Sequence, residues 1–217
     1  MSKKHAIAIT VIIGSLTLVG PAYGALYSFY CITNNNPANA AIGEAQLSVN
    51  VTDASKNQVM FTYTNSGPEP CSITDVYVDD GSILGLAQIF DTAGSVEFTE
   101  SPTPANLPGA NNVNPPFEAI RSFSADSDSP ILSMGVNPGE SLAILYDILP
   151  GQNFWDVIGE LRDGSLRLGL HVQGFTLDGG SEAFVNIPPP NPVPEPMTLL
   201  IMVLGSIPMI IGSRSRR

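Results

Sequence analysis

Short runs of alternating apolar and polar residues set the strongest limit on the fold of this chain. Residues 44–52, 58–64 and 166–174 each place an apolar side chain at nearly every second position. A side-chain period of two is that of a β-strand, whereas an α-helix repeats its buried face every three to four residues. The three runs therefore predict strands that bury one face and expose the other.

The inward faces of these strands follow from the same alternation. They are Ala45, Leu47, Val49 and Val51 in the first run, Val59, Phe61 and Tyr63 in the second, and Leu166, Leu168, Leu170 and Val172 in the third. The residues between the first two runs, Asp53, Ser55 and Asn57, favour turns, so those two strands are predicted to form a hairpin. Further strands are predicted for residues 71–79, 83–90, 95–99, 141–149 and 183–187.

Loops and one helix complete the local prediction. Residues 101–117 contain five prolines and predict a long irregular loop, and residues 124–129 predict a shorter polar one. A short helix is predicted between Asn153, which would cap its first turn, and Gly164, which would end it. Its buried face would hold Phe154, Val157, Ile158 and Leu161.

The number and spacing of the strands predict a mainly β domain over residues 25–187. The expected architecture is an antiparallel β-sandwich with one short helix, of immunoglobulin-like or jelly-roll type. A domain of 163 residues is long enough to bury roughly 70% of the surface of its unfolded chain in a single core.

Charge is distributed very unevenly along the chain. Five of the nine basic residues lie at the two ends, whereas all 20 acidic residues fall between Glu44 and Glu195. Residues 25–196 hold four basic residues against 20 acidic ones, a net charge of −16. This balance excludes nucleic acid as a partner, because phosphate binding needs clustered Lys and Arg.

The N-terminal residues 1–24 have the organisation of a secretory signal peptide, and would add a helix to the fold. Lys3 and Lys4 precede an uncharged apolar stretch, residues 7–19. Small residues then stand at the −3 and −1 positions, Ala22 and Gly24, which predicts cleavage before Ala25. The alternative is that this segment is an uncleaved membrane anchor.

The C-terminal residues consist of three parts in a fixed order. Residues 188–196 contain six prolines and predict an extended stalk. Residues 197–212 are uncharged and predict a transmembrane helix, and residues 213–217 form a basic tail that holds its end in the cytoplasm. The arginines of this tail are Arg214, Arg216 and Arg217.

The motif Val193, Pro194, Glu195 and Pro196, followed by a hydrophobic span and terminal arginines, resembles the PEP-CTERM sorting signal of exported bacterial proteins. The resemblance implies that the protein is held in the cytoplasmic membrane and then processed near this motif by an exosortase, a membrane transpeptidase. It also implies a bacterium that makes biofilm or exopolysaccharide. The alternative is a plain single-pass tail anchor.

The chain contains two cysteines, Cys31 and Cys71, and it is predicted to be exported. Disulfides persist outside the cytoplasm, so a bridge between these two residues is expected. The alternative is two separate free thiols.

Residues suited to catalysis are few. His171 is the single histidine of residues 25–187 and is predicted to lie on the solvated face of a strand; a catalytic base is the alternative. No serine-nucleophile elbow, zinc-protease helix or nucleotide-binding glycine loop is present in the sequence. Paired carboxylates, which a glycosidase needs, remain open among so many acidic residues.

Calcium is the one cofactor that the acidic residues leave open. Three groups of carboxylates are candidates: Asp75, Asp79 and Asp80; Asp126 and Asp128; Asp178 and Glu182. The favoured interpretation is ordinary turn chemistry, which requires no cofactor.

A carbohydrate site would need exposed aromatic rings. The candidates are Tyr27, Phe29, Tyr30 and Trp155, and the alternative is that they pack in the core.

The sequence thus predicts an exported bacterial protein, anchored in the cytoplasmic membrane and then at the cell surface or in the extracellular matrix. Its expected role is structural or adhesive and not enzymatic, with the exosortase, the membrane and exopolysaccharide as partners. The alternative is a secreted carbohydrate-binding module or polysaccharide-acting hydrolase.

Overall fold

A computed structural model describes residues 23–80, 83–92, 94–175 and 179–187. Within these residues the chain forms ten strands, three α-helices and two 3-10 turns. In chain order they are β1 (Gly24–Cys31), α1 (Pro37–Gln46), β2 (Leu47–Ser55), β3 (Gln58–Asn65), β4 (Ser72–Asp80), β5 (Leu84–Phe90), β6 (Phe98–Glu100), the 3-10 turns Ala110–Asn112 and Arg121–Phe123, β7 (Ala125–Ser127), α2 (Ile131–Met134), β8 (Glu140–Ile148), α3 (Phe154–Asp163), β9 (Leu166–Gln173) and β10 (Ser181–Asn186).

The ten strands form one antiparallel sheet in the order β5-β8-β3-β2-β1-β10-β9-β4-β7-β6. Strand β1 joins the two halves of this sheet, because residues 24–28 pair with β2 and residues 29–31 pair with β10. The first half is therefore β5, β8, β3 and β2, and the second half is β10, β9, β4, β7 and β6.

Both halves bury their inner faces in the same hydrophobic core. Val49, Phe61 and Ile144 from the first half share this core with Val76 and Leu168 from the second. A sheet of this width accumulates the twist of its strands, and here it curls so that one face is removed from water. The prediction of a mainly β, antiparallel domain is confirmed.

The hairpin and the helix that the sequence predicts are both confirmed. Strands β2 and β3 pair along their length and turn at Lys56 and Asn57, which have positive φ angles of 52° and 61°. The side chain of Asn153 caps α3 by accepting the backbone N–H of Trp155, and Gly164 ends the helix at φ 84°. The four predicted apolar residues of α3 are buried.

Helix α1 corrects the start of the first predicted strand. Asn36 caps this helix and Pro37 occupies its first turn, so residues 44–46 are helical and β2 begins at Leu47. Ala45 is consequently exposed rather than inward, and Gln46 is buried rather than outward. The Gln46 amide donates to Asn65 Oδ1 and to the carbonyl of Glu69, which satisfies it away from water.

Further segments, β1, β7 and α2 among them, differ from the prediction. The polar stretch at residues 124–129 contains β7, which pairs with β4 and β6. Strand β7 is only three residues long, so the alternation that would reveal it is too short to read from the sequence. Helices α1 and α2 are additional to the single helix predicted.

The proline-rich loop, residues 101–117, packs on the outer face of the second half of the sheet. Its Leu107 and Phe117 form a second, smaller core with Tyr77, Ala183 and Val185. The loop is thus irregular, as predicted, and it covers a face of the sheet that would otherwise be apolar and exposed.

Glycine and arginine on β9 hold this loop in place. A side chain at Gly169 would meet Leu107 Cδ2 at 2.9 Å and Phe117 Cζ at 3.0 Å, so the absence of a side chain there allows the loop to approach closely. Arg167 donates to the carbonyls of Pro115 and Pro116, and its guanidinium lies 5.4 Å from the centre of the Phe117 ring.

The predicted sorting segments fall almost entirely outside the described residues. This applies to the apolar part of the signal peptide, the stalk, the transmembrane helix and the basic tail, and to Ala22, Val193, Pro194, Glu195, Pro196, Arg214, Arg216 and Arg217. Gly24 and Ala25 are described and open β1, opposite Thr52 and Val51. In the described part of the chain, no helix has the length and apolar character that crossing a membrane requires.

Candidate functional site

A buried network of polar side chains crosses from β4 to β9 on the outer face of the sheet. Asp75 is only 2% exposed, and its Oδ2 lies 2.9 Å from Nδ1 of His171 and 2.8 Å from the hydroxyl of Thr74. The hydroxyl of Tyr77 donates to the other oxygen of Asp75 at 3.3 Å. The side chain of His171 is 13% exposed, so the prediction of a solvated histidine is wrong.

The acidic residues that lie close together in the structure are not the ones that lie close together in the sequence. Asp126 of β7 is the cross-strand partner of Asp75, although the two belong to different candidate calcium clusters. Burial raises the pKa of Asp126, and the carboxylate of Asp75 raises it further. Asp79 is instead paired with Arg167. No group of three or more His, Cys, Asp or Glu side chains placed to hold a metal ion occurs in the described residues.

The polar groups of this network form their hydrogen bonds with other residues of the domain. Both oxygens of Asp75 accept hydrogen bonds from neighbouring side chains, and the single hydroxyl hydrogen of Tyr77 is shared between Asp75 and the carbonyl of Pro104 in the proline-rich loop. A buried carboxylate is stable when such partners satisfy it. The network therefore ties two strands and a loop together.

Glu182 on β10 performs a similar function for the segment before α1. Its buried carboxylate accepts the hydroxyl of Thr33 at 2.5 Å and the backbone N–H groups of Asn35 and Asn36 at 2.9 and 2.6 Å. Asn36 is the N-cap of α1, so Glu182 fixes the entry to the helix. It is one of the candidate calcium ligands, together with Asp178, which lies outside the described residues.

The two cysteines are free thiols, which corrects the predicted bridge between Cys31 and Cys71. Cys31 Sγ lies 3.5 Å from Glu182 and accepts the N–H of Asn34. Cys71 Sγ is 3.1 Å from the Nε2 of Gln46, the last residue of α1. The two thiols therefore have different hydrogen-bond partners, which sequence spacing alone does not show.

Burial makes both thiols poor nucleophiles at neutral pH. It raises the pKa of Cys71 to about 11, and it also raises the pKa of Cys31 above its ordinary value. Because the thiolate is the reactive form, neither cysteine has the character of a catalytic nucleophile.

The candidate aromatic residues separate clearly into buried and exposed rings. Tyr27 and Phe29 point into the core, so they are excluded as a stacking platform. Tyr30 is 38% exposed, and Trp155, in the first turn of α3, is 56% exposed.

Trp155 borders a shallow depression of about 230 Å³ between α3 and the β2–β3 turn. Its lining also includes the apolar residues Ile148 and Phe154 and a set of polar residues: Asp53, Lys56, Asn57 and Asn153. We call this depression, together with the Trp155 ring, the tryptophan groove. It places an exposed aromatic ring beside hydrogen-bonding groups.

The walls of the tryptophan groove are held in place by local hydrogen bonds. Asp53 Oδ1 accepts the N–H of Ser55 at 2.8 Å, and Asn57 Nδ2 donates to the carbonyl of Ile148 at 2.6 Å. Asn153 Oδ1 accepts a hydrogen bond from the backbone N–H of Trp155 at 2.9 Å, and the backbone N–H of Asn153 donates to Asp156. The groove is thus preformed by a hairpin turn on one side and a capped helix on the other.

Tyr23 contributes a second exposed ring next to Trp155. Their ring centres are 5.2 Å apart at an interplanar angle of 64°, an edge-to-face contact. The backbone carbonyl of Tyr23 accepts the N–H of Asp53. Tyr23 precedes the predicted signal cleavage position, whereas Trp155 lies in the mature domain.

Sequence reasoning identified Trp155 but not the polar wall that faces it. Asp53 and Asn57 were predicted only as turn residues, and about 100 positions separate that turn from α3. No local pattern reports that a hairpin turn and a helix N-terminus meet in space.

The comparisons with known proteins give no relative for this chain. No protein-family model, no curated protein and no solved structure matches it.

Proposed function

We propose that this chain is an exported bacterial protein whose domain has a structural or adhesive role at the cell surface or in the extracellular matrix. The observation that carries the proposal is the ordered C-terminal arrangement of Pro194-Glu195-Pro196, an uncharged span and terminal arginines. We further propose that an exosortase recognises this tail while the cytoplasmic membrane retains the protein, and that exopolysaccharide is a partner after processing.

The proposed architecture is a variant of the β-sandwich, of jelly-roll or immunoglobulin-like kind. Two halves of the curled sheet share one core, as the two layers of a sandwich do, and β1 belongs to both halves. Such a domain offers stable outer faces and loops at which binding can occur.

A non-enzymatic role is supported by the state of the polar groups. The one histidine of the domain is engaged with Asp75, and both oxygens of Asp75 already accept hydrogen bonds. The hydrolase alternative would use Asp75 and Asp126 as paired carboxylates, but a glycosidase needs both to reach the substrate. An Asp75 that is 2% exposed does not meet that need.

The carbohydrate-binding alternative has one specific observation in its favour. Trp155 is exposed beside polar residues, whereas Tyr27 and Phe29 are buried. Binding of this kind is compatible with an adhesive surface protein.

The orientation of the chain can be tested by a reporter enzyme fused after Ile187. We expect activity outside the cytoplasm, because the signal peptide directs export and the terminal arginines stay inside. A reporter that is active only in the cytoplasm would contradict the proposed orientation.

Processing can be tested by the mass of the chain in cells with and without the exosortase. We expect a longer, membrane-retained form in its absence, and the same form for Glu195→Ala in normal cells. Glu118→Ala, an exposed carboxylate within the domain, is the matched control and should be processed normally. An unchanged mass in both strains would favour the plain tail anchor.

A further inference from the structure

We propose that the tryptophan groove binds a neutral polysaccharide, one sugar ring of which stacks on the indole of Trp155. This inference rests on the proposed surface role and names its partner.

The indole is accessible and contacts neighbouring aromatic rings. Trp155 is 56% exposed, and its backbone N–H donates to the side chain of Asn153. The Phe154 ring packs against the indole at 5.3 Å and 68°. A rigid aromatic ring offers contact area at little cost in conformational entropy, which is what a stacking platform needs.

The opposite wall supplies hydrogen-bonding groups for sugar hydroxyls. Among the described residues, Lys56 forms no ion pair, so its ammonium is free to donate. Asp53 uses Oδ1 for the turn and Asn57 uses its Nδ2, which leaves the second oxygen of Asp53 and the amide oxygen of Asn57 as acceptors. A hydroxyl can donate and accept, so it matches this mixed set.

The size of the groove indicates that it holds one sugar ring of a longer polysaccharide chain. Its volume of about 230 Å³ is smaller than the pockets that enclose drug-sized ligands, which begin at about 300 Å³. A shallow site of this kind suits a polymer that passes across the surface and places a single ring against the platform.

The net negative charge of the domain favours binding of neutral glycans over anionic ones. Residues 25–196 carry four basic and 20 acidic residues, so an anionic polysaccharide or an anionic lipid surface would be repelled. Lys56 is the only lysine in this part of the sequence, and Asp53 lies in the same groove.

The direct test uses the fluorescence of Trp155, which is the only tryptophan in the chain. The full chain, in a detergent without a sugar headgroup, is titrated with cellohexaose, a neutral hexasaccharide. We expect a saturable change in tryptophan emission, and binding at least tenfold weaker for the acidic hexamer of galacturonic acid. No change in emission at millimolar cellohexaose, or equal binding of the acidic hexamer, would overturn the proposal.

Variants locate the binding by isothermal titration calorimetry, which needs no fluorophore. Trp155→Ala should weaken cellohexaose binding by about tenfold or more, Trp155→Phe by less, and Asn57→Ala by a few-fold. Tyr30→Ala is the matched control, because Tyr30 is an exposed aromatic at the other end of β1, and it should bind normally. Circular dichroism checks that each variant keeps its fold. Unchanged binding by Trp155→Ala would exclude this site.

The two proposals fail in different ways. A reporter after Ile187 that is active outside the cytoplasm, together with no glycan binding, removes only the inference about the tryptophan groove. A reporter active only inside removes the surface role, whatever the glycan titration shows.

Discussion

Individual carboxylates in this domain accept hydrogen bonds that connect separate segments of the chain. Glu182 fixes the segment before α1, and Asp75 holds His171 and Tyr77. Glu140, at the start of β8, accepts the Ser95 hydroxyl and, at 2.9 Å, the N–H of Asn137. These interactions explain why so acidic a chain can place several carboxylates within or beside its core.

Glu140 gives a pH-dependent prediction. Burial acts to raise its pKa, but the hydrogen bonds from Ser95 and Asn137 outweigh burial and bring the pKa below its ordinary value. The carboxylate is partly screened by solvent, so Glu140→Gln should lower the free energy of unfolding by about 1 kcal/mol at pH 7.

The sign of the pH effect follows from that lowered pKa. The stabilisation is fully present above the unfolded-state pKa of about 4.3 and is lost as the pH falls through the folded-state value. Urea unfolding at pH 7 and at pH 3.5 should therefore show the difference between wild type and Glu140→Gln shrinking in acid. Glu118→Gln, at an exposed position, should differ little from wild type at pH 7; a gap for Glu140→Gln that stays constant with pH would refute the mechanism.

At the scale of elements, the helices α1 and α3 differ in how they meet the sheet. Gly43 of α1 faces the ring of Phe184 on β10, and a Cβ atom there would lie 2.2 Å from Phe184 Cζ. Gly159 of α3 has no neighbouring atom within 4 Å of the position of a Cβ. The first glycine permits close packing, whereas the second has no such role.

These two glycines predict opposite responses to the same substitution. Gly43→Ala should lower the free energy of unfolding by about 2 kcal/mol, because overpacking against Phe184 exceeds the gain in helix propensity. Gly159→Ala should raise it by about 0.5–1 kcal/mol, because alanine favours the helix and meets no obstacle. Chemical denaturation of both variants measures the contrast. Stabilisation by Gly43→Ala would show that α1 does not pack tightly on β10.

At the scale of the whole molecule, β1 makes the two halves of the sheet one structure. Ser28 is the last residue of β1 that pairs with β2, and its carbonyl accepts the N–H of Ile187 just beyond β10. The cores of the two halves are also continuous. Neither half can lose its packing without exposing apolar surface of the other.

The shared core predicts a single cooperative unfolding transition. Buried tyrosines report on both halves, since Tyr63 and Tyr146 belong to the first and Tyr77 to the second. Near-ultraviolet and far-ultraviolet circular dichroism should therefore give the same midpoint in urea, together with the fluorescence of Trp155. Two separated midpoints would show that the halves are independent units.

Features that depend on neighbouring residues could be predicted from the sequence. The alternation at Val59, Phe61 and Tyr63 specifies a strand and its buried face, and Asn153 and Gly164 specify where α3 starts and ends. These signals are local because side-chain period and capping act within a few residues. Helix α1 was missed because alternation from residue 44 onward competes with the cap at Asn36, and packing on Phe184 favours the helix.

The sequence by itself determined that this chain forms an acidic, antiparallel β domain with a capped helix that carries an exposed-ring candidate, Trp155. Only the tertiary structure decided that Asp75 meets Asp126, that Cys31 and Cys71 have separate partners, and that the β2–β3 turn faces Trp155. The physical reason is that these contacts join residues far apart in the sequence. Strand order and the curl of the sheet bring together residues tens of positions apart, and no local pattern of side chains encodes those meetings.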